Sequence, residues 1–152
     1  MQGVLRGIGV FAAATLLALL GAGAAYAGSV RYAGQSSQGK KVVMRTDSRG
    51  VPKRFTIATR ANCRGGDPHI RGGTSFLRPF DRATPKRFND FGHYTNRYDD
   101  HVVGRFTVGV AGSRDSATRF HGTFRLKAVF SQRGERYATC RLKHVRWTAT
   151  HH

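Results

Sequence analysis

Arginine is the residue type of this sequence best suited to chemistry, because of its number and its charge. The chain has 26 lysine and arginine residues, 20 of them arginine, against 8 acidic residues, which gives a formal net charge of +18. The guanidinium group binds phosphate and carboxylate through a planar fork of N–H donors. A chain this basic attracts anionic polymers and surfaces. The composition therefore favours a protein that binds an anionic partner.

The strongest candidate for an anion site lies in the last two predicted strands. Arg125 and Lys127 share one face of the first strand, and Arg141 and Lys143 share one face of the second, because apolar residues alternate with them. The expected hairpin register sets Arg125 directly opposite Arg141, where like charges destabilise a sheet. A site that accepts this cost suits a phosphate or a carboxylate. The alternative is a solvated basic face without a specific ligand.

Histidine offers a second kind of chemistry, general acid–base catalysis. Two H-x-T motifs, at 93–95 and 121–123, resemble those that hold phosphate in the 2H phosphoesterases. Asn96 stands where that family has an apolar residue, and the helices of that family are not expected here. No spacing identifies a catalytic His–Asp or His–Glu pair. The sequence therefore favours a non-enzymatic protein without a cofactor, and the alternative is a small secreted His-dependent hydrolase or nuclease.

Residues 1–27 have the pattern of a secretory signal peptide. Arg6 precedes an apolar stretch from Gly7 to Leu20, and Ala25-Tyr26-Ala27 forms a cleavage motif. The uncharged stretch is also about long enough to span a bilayer, so an uncleaved membrane anchor is the alternative. Cleavage would leave residues 28–152 as a single basic β-domain with 25 basic and 8 acidic residues. We expect such a domain in the envelope or outside the cell, where intracellular nucleic acid is not a partner.

Export bears on the two cysteines, Cys63 and Cys140, because disulfides form in oxidising compartments. We predict that these residues form one disulfide. Each is also followed by a histidine, His69 and His144, at a spacing that loosely matches a structural zinc site. Zinc is therefore the alternative, and no metal site is our expectation.

The elements that must position these residues are predicted to be strands, because apolar residues alternate along the chain and no helical period is visible. We expect an all-β fold, an antiparallel sandwich or small barrel of six to eight strands. Residues 74–100 contain Pro79, Pro85 and scattered Phe residues, and are predicted to be mostly a long loop. Residues 112–116 are predicted to be a turn. The predicted strands are Lys41–Thr46, Arg54–Thr59, Val102–Val110, Arg119–Phe130 and Tyr137–Thr150, with short ones near 69–71, 75–77 and 91–94.

The last hairpin can be assigned a register. A three-residue loop at 132–134 would set Phe124 opposite Leu142 and Leu126 opposite Cys140, so that the apolar faces agree. After residue 143 the apolar positions change from even to odd numbers. This change predicts a β-bulge near Lys143–His144.

Short motifs at both ends of the predicted mature chain resemble a group of small exported bacterial β-proteins with no established activity. Residues 32–39 read YAGQSSQG against a pattern Y-x-G-x-[ST]-S-Q-G, and residues 146–149 read RWTA against R-W-x-A. The resemblance implies export and a β fold, and it transfers no functional residue. The polar residues 35–38 are predicted to cap a sheet edge rather than to touch a ligand.

These observations favour an exported, non-enzymatic β-domain that binds an anionic polymer of the cell envelope or extracellular space. A structural envelope protein, basic only because it sits against an acidic surface, is a further alternative.

Overall fold

The structure is a computed structural model that describes residues 28–151, so the predicted signal peptide lies outside the described residues. The described chain is all-β, as predicted, with nine strands rather than six to eight. It has no helix that could cross a membrane. The strands are β1 (Val30–Ser36), β2 (Lys41–Thr46), β3 (Pro52–Arg64), β4 (His69–Leu77), β5 (Arg82–Ala83), β6 (Arg87–Arg97), β7 (Val102–Ser116), β8 (Arg119–Gln132) and β9 (Glu135–Thr150).

The strands form one antiparallel sheet in the order β4-β3-β2-β1-β9-β8-β7-β6-β5, and the sheet curls until β3 also pairs with β9. One edge of β9 is shared between two partners. Its residues 139–141 pair with 62–64 of β3, and its residues 147–150 pair with 33–36 of β1. Strands β1, β2, β3 and β9 therefore close a ring, from which β8, β7, β6 and β5 extend as a continuous sheet.

A gap remains along the edge of β3, between the part that pairs with β2 and the part that pairs with β9. The side chain of Gln38 fills it: its Nε2 donates to the carbonyl of Arg60 at 2.8 Å, and its Oε1 accepts the Arg60 N–H at 3.1 Å. This is the exchange that a neighbouring strand would make. The prediction that residues 35–38 cap a sheet edge agrees with this contact.

The core lies on the concave face of the sheet and centres on Trp147, which is 2% exposed. The rings of Phe55 and Phe88 lie with their centroids 4.8 Å and 6.0 Å from that of Trp147. Gly122 lets the indole approach the backbone of β8, because a Cβ there would lie 2.7 Å from the ring. Most aromatic residues of the alternating strands thus form the core, which leaves mainly polar and basic side chains on the convex face.

Cys63 and Cys140 form the predicted disulfide, between directly opposed residues of β3 and β9. The disulfide therefore cross-links β3 and β9, the two strands whose pairing closes the ring. Both sulfurs are oxidised, so the alternative of a zinc site built on these cysteines is wrong. Among residues 28–151, no group of three or more His, Cys, Asp or Glu side chains is placed to hold a metal ion. A disulfide is compatible with an extracytoplasmic location.

The prediction of a long loop over residues 74–100 is wrong, because most of this segment is strand. Pro79 and Pro85, which suggested a loop, occupy short connections on either side of β5. Strand β7 likewise runs through residues 112–116, where a turn was predicted. Gly112 is a packing position there, since a Cβ would lie 2.8 Å from the Trp147 ring. The turn falls at 117–118 instead.

Candidate anion-binding site

The hairpin of β8 and β9 has a different register from the predicted one. Its loop is only two residues, Arg133 and Gly134, both with positive φ (50° and 92°), as a type I′ turn requires. A bulge next to Ser131 then shifts the pairing. The two registers differ by two residues and leave every side chain on the same face, so the alternation of apolar residues cannot distinguish them.

As a result, Arg125 does not lie opposite Arg141, as the sequence predicted. Lys127 lies there instead, and Ala128 rather than Leu126 lies opposite Cys140. The opposition of two cations therefore exists, but between a different pair of residues.

The predicted bulge near Lys143–His144 is confirmed. Between the pair Leu126↔Leu142 and the pair Phe124↔Val145, β9 has one more residue than β8. Beyond the bulge the odd-numbered residues of β9 are buried, which leaves Arg146 exposed. The bulge thus keeps the basic side chains of β9 on the convex face along the whole strand.

The structure brings the four predicted residues together. Arg125, Lys127, Arg141 and Lys143 line one open cavity of about 490 Å³ on the convex face, together with His144. None of the described residues that line this cavity is acidic. Within residues 28–151, none of the four cations takes part in an ion pair. We call these four residues the hairpin site.

Phe91 holds one of the four cations in place, a role that no sequence signal indicated. The Arg125 guanidinium carbon lies 5.3 Å from the centroid of the Phe91 ring. The Arg125 side chain crosses β7 at Gly109, where a Cβ would lie 2.7 Å from Nε of Arg125. A cation over an exposed ring gains about 0.5–1 kcal/mol. Phe91 is 43% exposed, so the ring and its guanidinium form part of the surface.

Two acidic side chains contact the backbone of Phe91. Asp81 and Asp90 both accept the N–H of Phe91, each at 3.0 Å. Burial raises the pKa of Asp90, and the negative charge of Asp81 acts in the same direction, while N–H donors from Phe91 and Asp81 offset this only in part. The carboxylates are therefore engaged with backbone, and neither pairs with Arg125.

A second cavity, of about 620 Å³, opens farther along the same face. Four arginines and one histidine line it, and we call this set the arginine pocket: Arg82, Arg87, Arg119, Arg146 and His121. Nδ1 of His121 lies 2.6 Å from a carboxylate oxygen of Asp115, and Nε of Arg119 lies 3.6 Å from the other. The sequence singled out His121 only as part of an H-x-T motif and did not pair it with Asp115.

The two H-x-T motifs do not form one site. His93 lies opposite Thr107 of β7 and contacts its hydroxyl at 3.1 Å, whereas His121 lies opposite Ser113. Thr107 and Ser113 are six positions apart along β7, which is about 20 Å. One phosphate cannot contact both histidines at that separation, so the arrangement of the 2H phosphoesterases is not present.

Comparison of the chain with known protein families, curated proteins and solved structures found no match. The chemistry of the convex face is therefore the basis on which a function can be inferred.

Proposed function

We propose that this protein is an exported, non-enzymatic domain that binds a linear anionic polymer of the cell envelope or the extracellular space. The observation that carries the proposal is the hairpin site, four cations around one cavity with no acidic residue in its lining. The signal-like residues 1–27 support export, and so does the Cys63–Cys140 disulfide. The same two features favour an extracytoplasmic partner over intracellular nucleic acid.

The opposition of Lys127 and Arg141 within one cavity supports a bound anion, whereas the opposed Arg31 and Arg45 line neither this cavity nor the arginine pocket. Like charges at directly opposed positions destabilise a sheet, and no described acidic side chain offsets the two charges. A phosphate, sulfate or carboxylate between them would replace repulsion by two charge-assisted hydrogen bonds.

The continuity of the basic surface favours a polymer over a small anion. Arg141 and Lys143 also line a neighbouring cavity with Arg64 and Arg136. In the opposite direction, Arg125 and Lys143 line a further cavity, which also has Asp90 in its lining and meets the arginine pocket at uncharged residues. A small anion would occupy one cavity, whereas a chain with repeated charges can follow the row and add up weak contacts.

A second candidate is a secreted His-dependent hydrolase or nuclease, and the contact between His121 and Asp115 favours it. A carboxylate that orients an imidazole is a common feature of general-base sites. Cleavage of a phosphodiester by acid–base catalysis also needs a proton donor for the leaving group. Among the described residues that line the arginine pocket, His121 is the one ordinary acid–base group. We therefore favour binding without cleavage.

Elution by a salt gradient from heparin and from polyglycerol phosphate resins tests the proposal. We expect the wild type to stay bound at a salt concentration of about 0.15 M. Arg125→Glu/Arg141→Glu is expected to elute at much lower salt than the wild type. The matched control is Arg31→Glu/Arg45→Glu, which makes the same charge change at two opposed, exposed arginines of β1 and β2. Equal losses from both variants would indicate unspecific attraction, as for a structural envelope protein, and unchanged retention of the first would remove the site.

A further inference from the structure

We propose that the arginine pocket is a second anion site, which binds a single phosphate group. It shares the convex face with the hairpin site but is a separate cavity. No residue lines both cavities, although Arg125 of the hairpin site and Thr123 of the pocket are only two positions apart along β8, about 7 Å. The inference does not depend on the function of the hairpin site, because it follows from the lining of this cavity alone.

The pocket is built by the register of four neighbouring strands. The small residues Ala111, Ser113 and Thr123 lie on the two middle strands, and Arg119 and His121 of β8 stand beside them. Arg87 of β6 and Arg146 of β9 stand on opposite sides of this trough, and Arg82 extends it at β5. Two adjacent rows of directly opposed residues form it: Arg87, Ser113, His121 and Thr148, and then Asn89, Ala111, Thr123 and Arg146.

The charge of the pocket is largely uncompensated. Within the described chain, Arg82, Arg87 and Arg146 have no ion-pair partner. Asp115 is close to the pocket but does not line it, and it contacts both Arg119 and His121. The Asp115 carboxylate holds these two side chains at the rim, because each of them contacts a different one of its two oxygens. Net positive charge therefore remains for a ligand.

The arrangement of the donors favours phosphate over carboxylate. A carboxylate has two oxygens in one plane, and a single guanidinium fork can satisfy both. A phosphate carries three or four oxygens arranged tetrahedrally and needs donors from several directions. Here guanidinium groups come from four different strands, and hydroxyl groups of Ser113, Thr123 and Thr148 line the same cavity. Such a set of charged and neutral donors matches the oxygens of one phosphate group.

Titration with inorganic phosphate, followed by calorimetry and by backbone amide NMR, tests this assignment. We expect shifts at Ser113, His121 and Thr148, and weaker binding of acetate than of phosphate. The variant Arg87→Gln/Arg146→Gln is expected to weaken phosphate binding by about tenfold or more, since it removes two charged donors. The control Arg125→Gln/Arg141→Gln is expected to bind phosphate as the wild type does.

A parallel titration with a polyglycerol phosphate oligomer distinguishes the source of the group. Tighter binding of the oligomer would identify a polymer phosphodiester, and tighter binding of inorganic phosphate a free phosphate or monoester. Absence of shifts at millimolar phosphate, equal binding of acetate, or equal losses in both variants would overturn the assignment. If the hairpin variant loses polymer retention but keeps phosphate binding, the two sites are separate, as we propose. If the hairpin variant keeps both polymer retention and phosphate binding, the proposed function fails but the phosphate site stands.

Discussion

Lys127 of β8 and Arg141 of β9 lie directly opposite each other, with no acidic side chain of the described residues paired to either. Both side chains are exposed. Opposed like charges lower the stability of a sheet, so this pair has a cost that the folded chain bears without a ligand. The pair thus links two properties that can be measured separately, the stability of the fold and the affinity for anions.

The first prediction is that Lys127→Glu stabilises the fold while it weakens anion binding. It turns a repulsive cross-strand pair into an attractive one, which is worth about 0.2–1 kcal/mol in the free energy of unfolding. Urea denaturation at low salt measures the stability, and polyanion retention measures the binding. Lys41→Glu is the control, since Lys41 lies opposite the neutral Gln35. A destabilised Lys127→Glu variant would contradict the repulsion that we infer.

The second prediction concerns the contact of Arg125 with Phe91. Phe91→Ala removes the ring beneath the guanidinium and is expected to weaken polyanion binding by about twofold to fivefold, equivalent to ~0.5–1 kcal/mol. Phe91→Tyr keeps the ring and should retain the affinity. Leu77→Ala, which removes another exposed apolar side chain, is the control. Fluorescence titration with a labelled polyanion measures all three, and equal affinities of wild type and Phe91→Ala would show that the ring does not position Arg125.

The third prediction is a pH dependence of stability that arises from Asp47 in the turn between β2 and β3. Burial alone would raise the pKa of its carboxyl group. The N–H groups of Val51 and Arg49 and the guanidinium of Arg78 outweigh this and lower the pKa below its ordinary value of 3.8. A group with a lowered folded-state pKa stabilises the fold above its unfolded-state pKa, and this stability is lost as the pH falls through the folded-state value.

Denaturant unfolding between about pH 2 and pH 6 measures this contribution. The wild type should lose stability as the pH falls below 3.8, and Asp47→Asn should lack that part of the change. Asp67→Asn is the control, because Asp67 is exposed. Parallel pH profiles for wild type and Asp47→Asn would contradict the role of Asp47.

The fourth prediction concerns the disulfide. Cys63 and Cys140 are 77 residues apart in the sequence, and a cross-link of that span stabilises by about 4 kcal/mol in the chain-entropy account. Cys63→Ala/Cys140→Ala should therefore unfold at clearly lower denaturant concentration. Polyanion binding of the folded fraction should be kept, since the four residues of the hairpin site lie on β8 and β9, which pair with each other without the disulfide. A variant as stable as the wild type would show that pairing of β3 with β9 alone closes the ring.

The sequence predicted those features that depend on alternation or on the compartment. Three features are of this kind: the strand Lys41–Thr46, the bulge at Lys143–His144 and the disulfide. The alternation of apolar residues favours the strand and the bulge, and two cysteines in a chain predicted to be exported favour one disulfide. The four residues of the hairpin site also share a face, as alternation requires. Which of the four residues lie opposite each other depends on the turn. The alternation of faces cannot reveal it, because a two-residue shift of register leaves every side chain on the same face.

The arginine pocket could not be predicted for a different reason. It needs the register of β5, β6, β7, β8 and β9 at once, and a turn was placed at residues 112–116. That assignment put Asp115 inside a turn, although it lies at the end of β7 and contacts His121. Gly112 was the source of the error, because a glycine that lets an aromatic ring approach the backbone looks in sequence like a turn residue.

The salt dependence of binding to a soluble polyglycerol phosphate tests the central proposal most directly. The logarithm of the affinity should fall linearly with the logarithm of the salt concentration, since binding releases counterions. For Arg125→Glu/Arg141→Glu the slope should be shallower by about one or more, since each lost contact removes a little under one from the slope. The Arg31→Glu/Arg45→Glu control should keep the wild-type slope. Equal slopes for wild type and the hairpin variant would contradict the proposal that these cations contact the polymer.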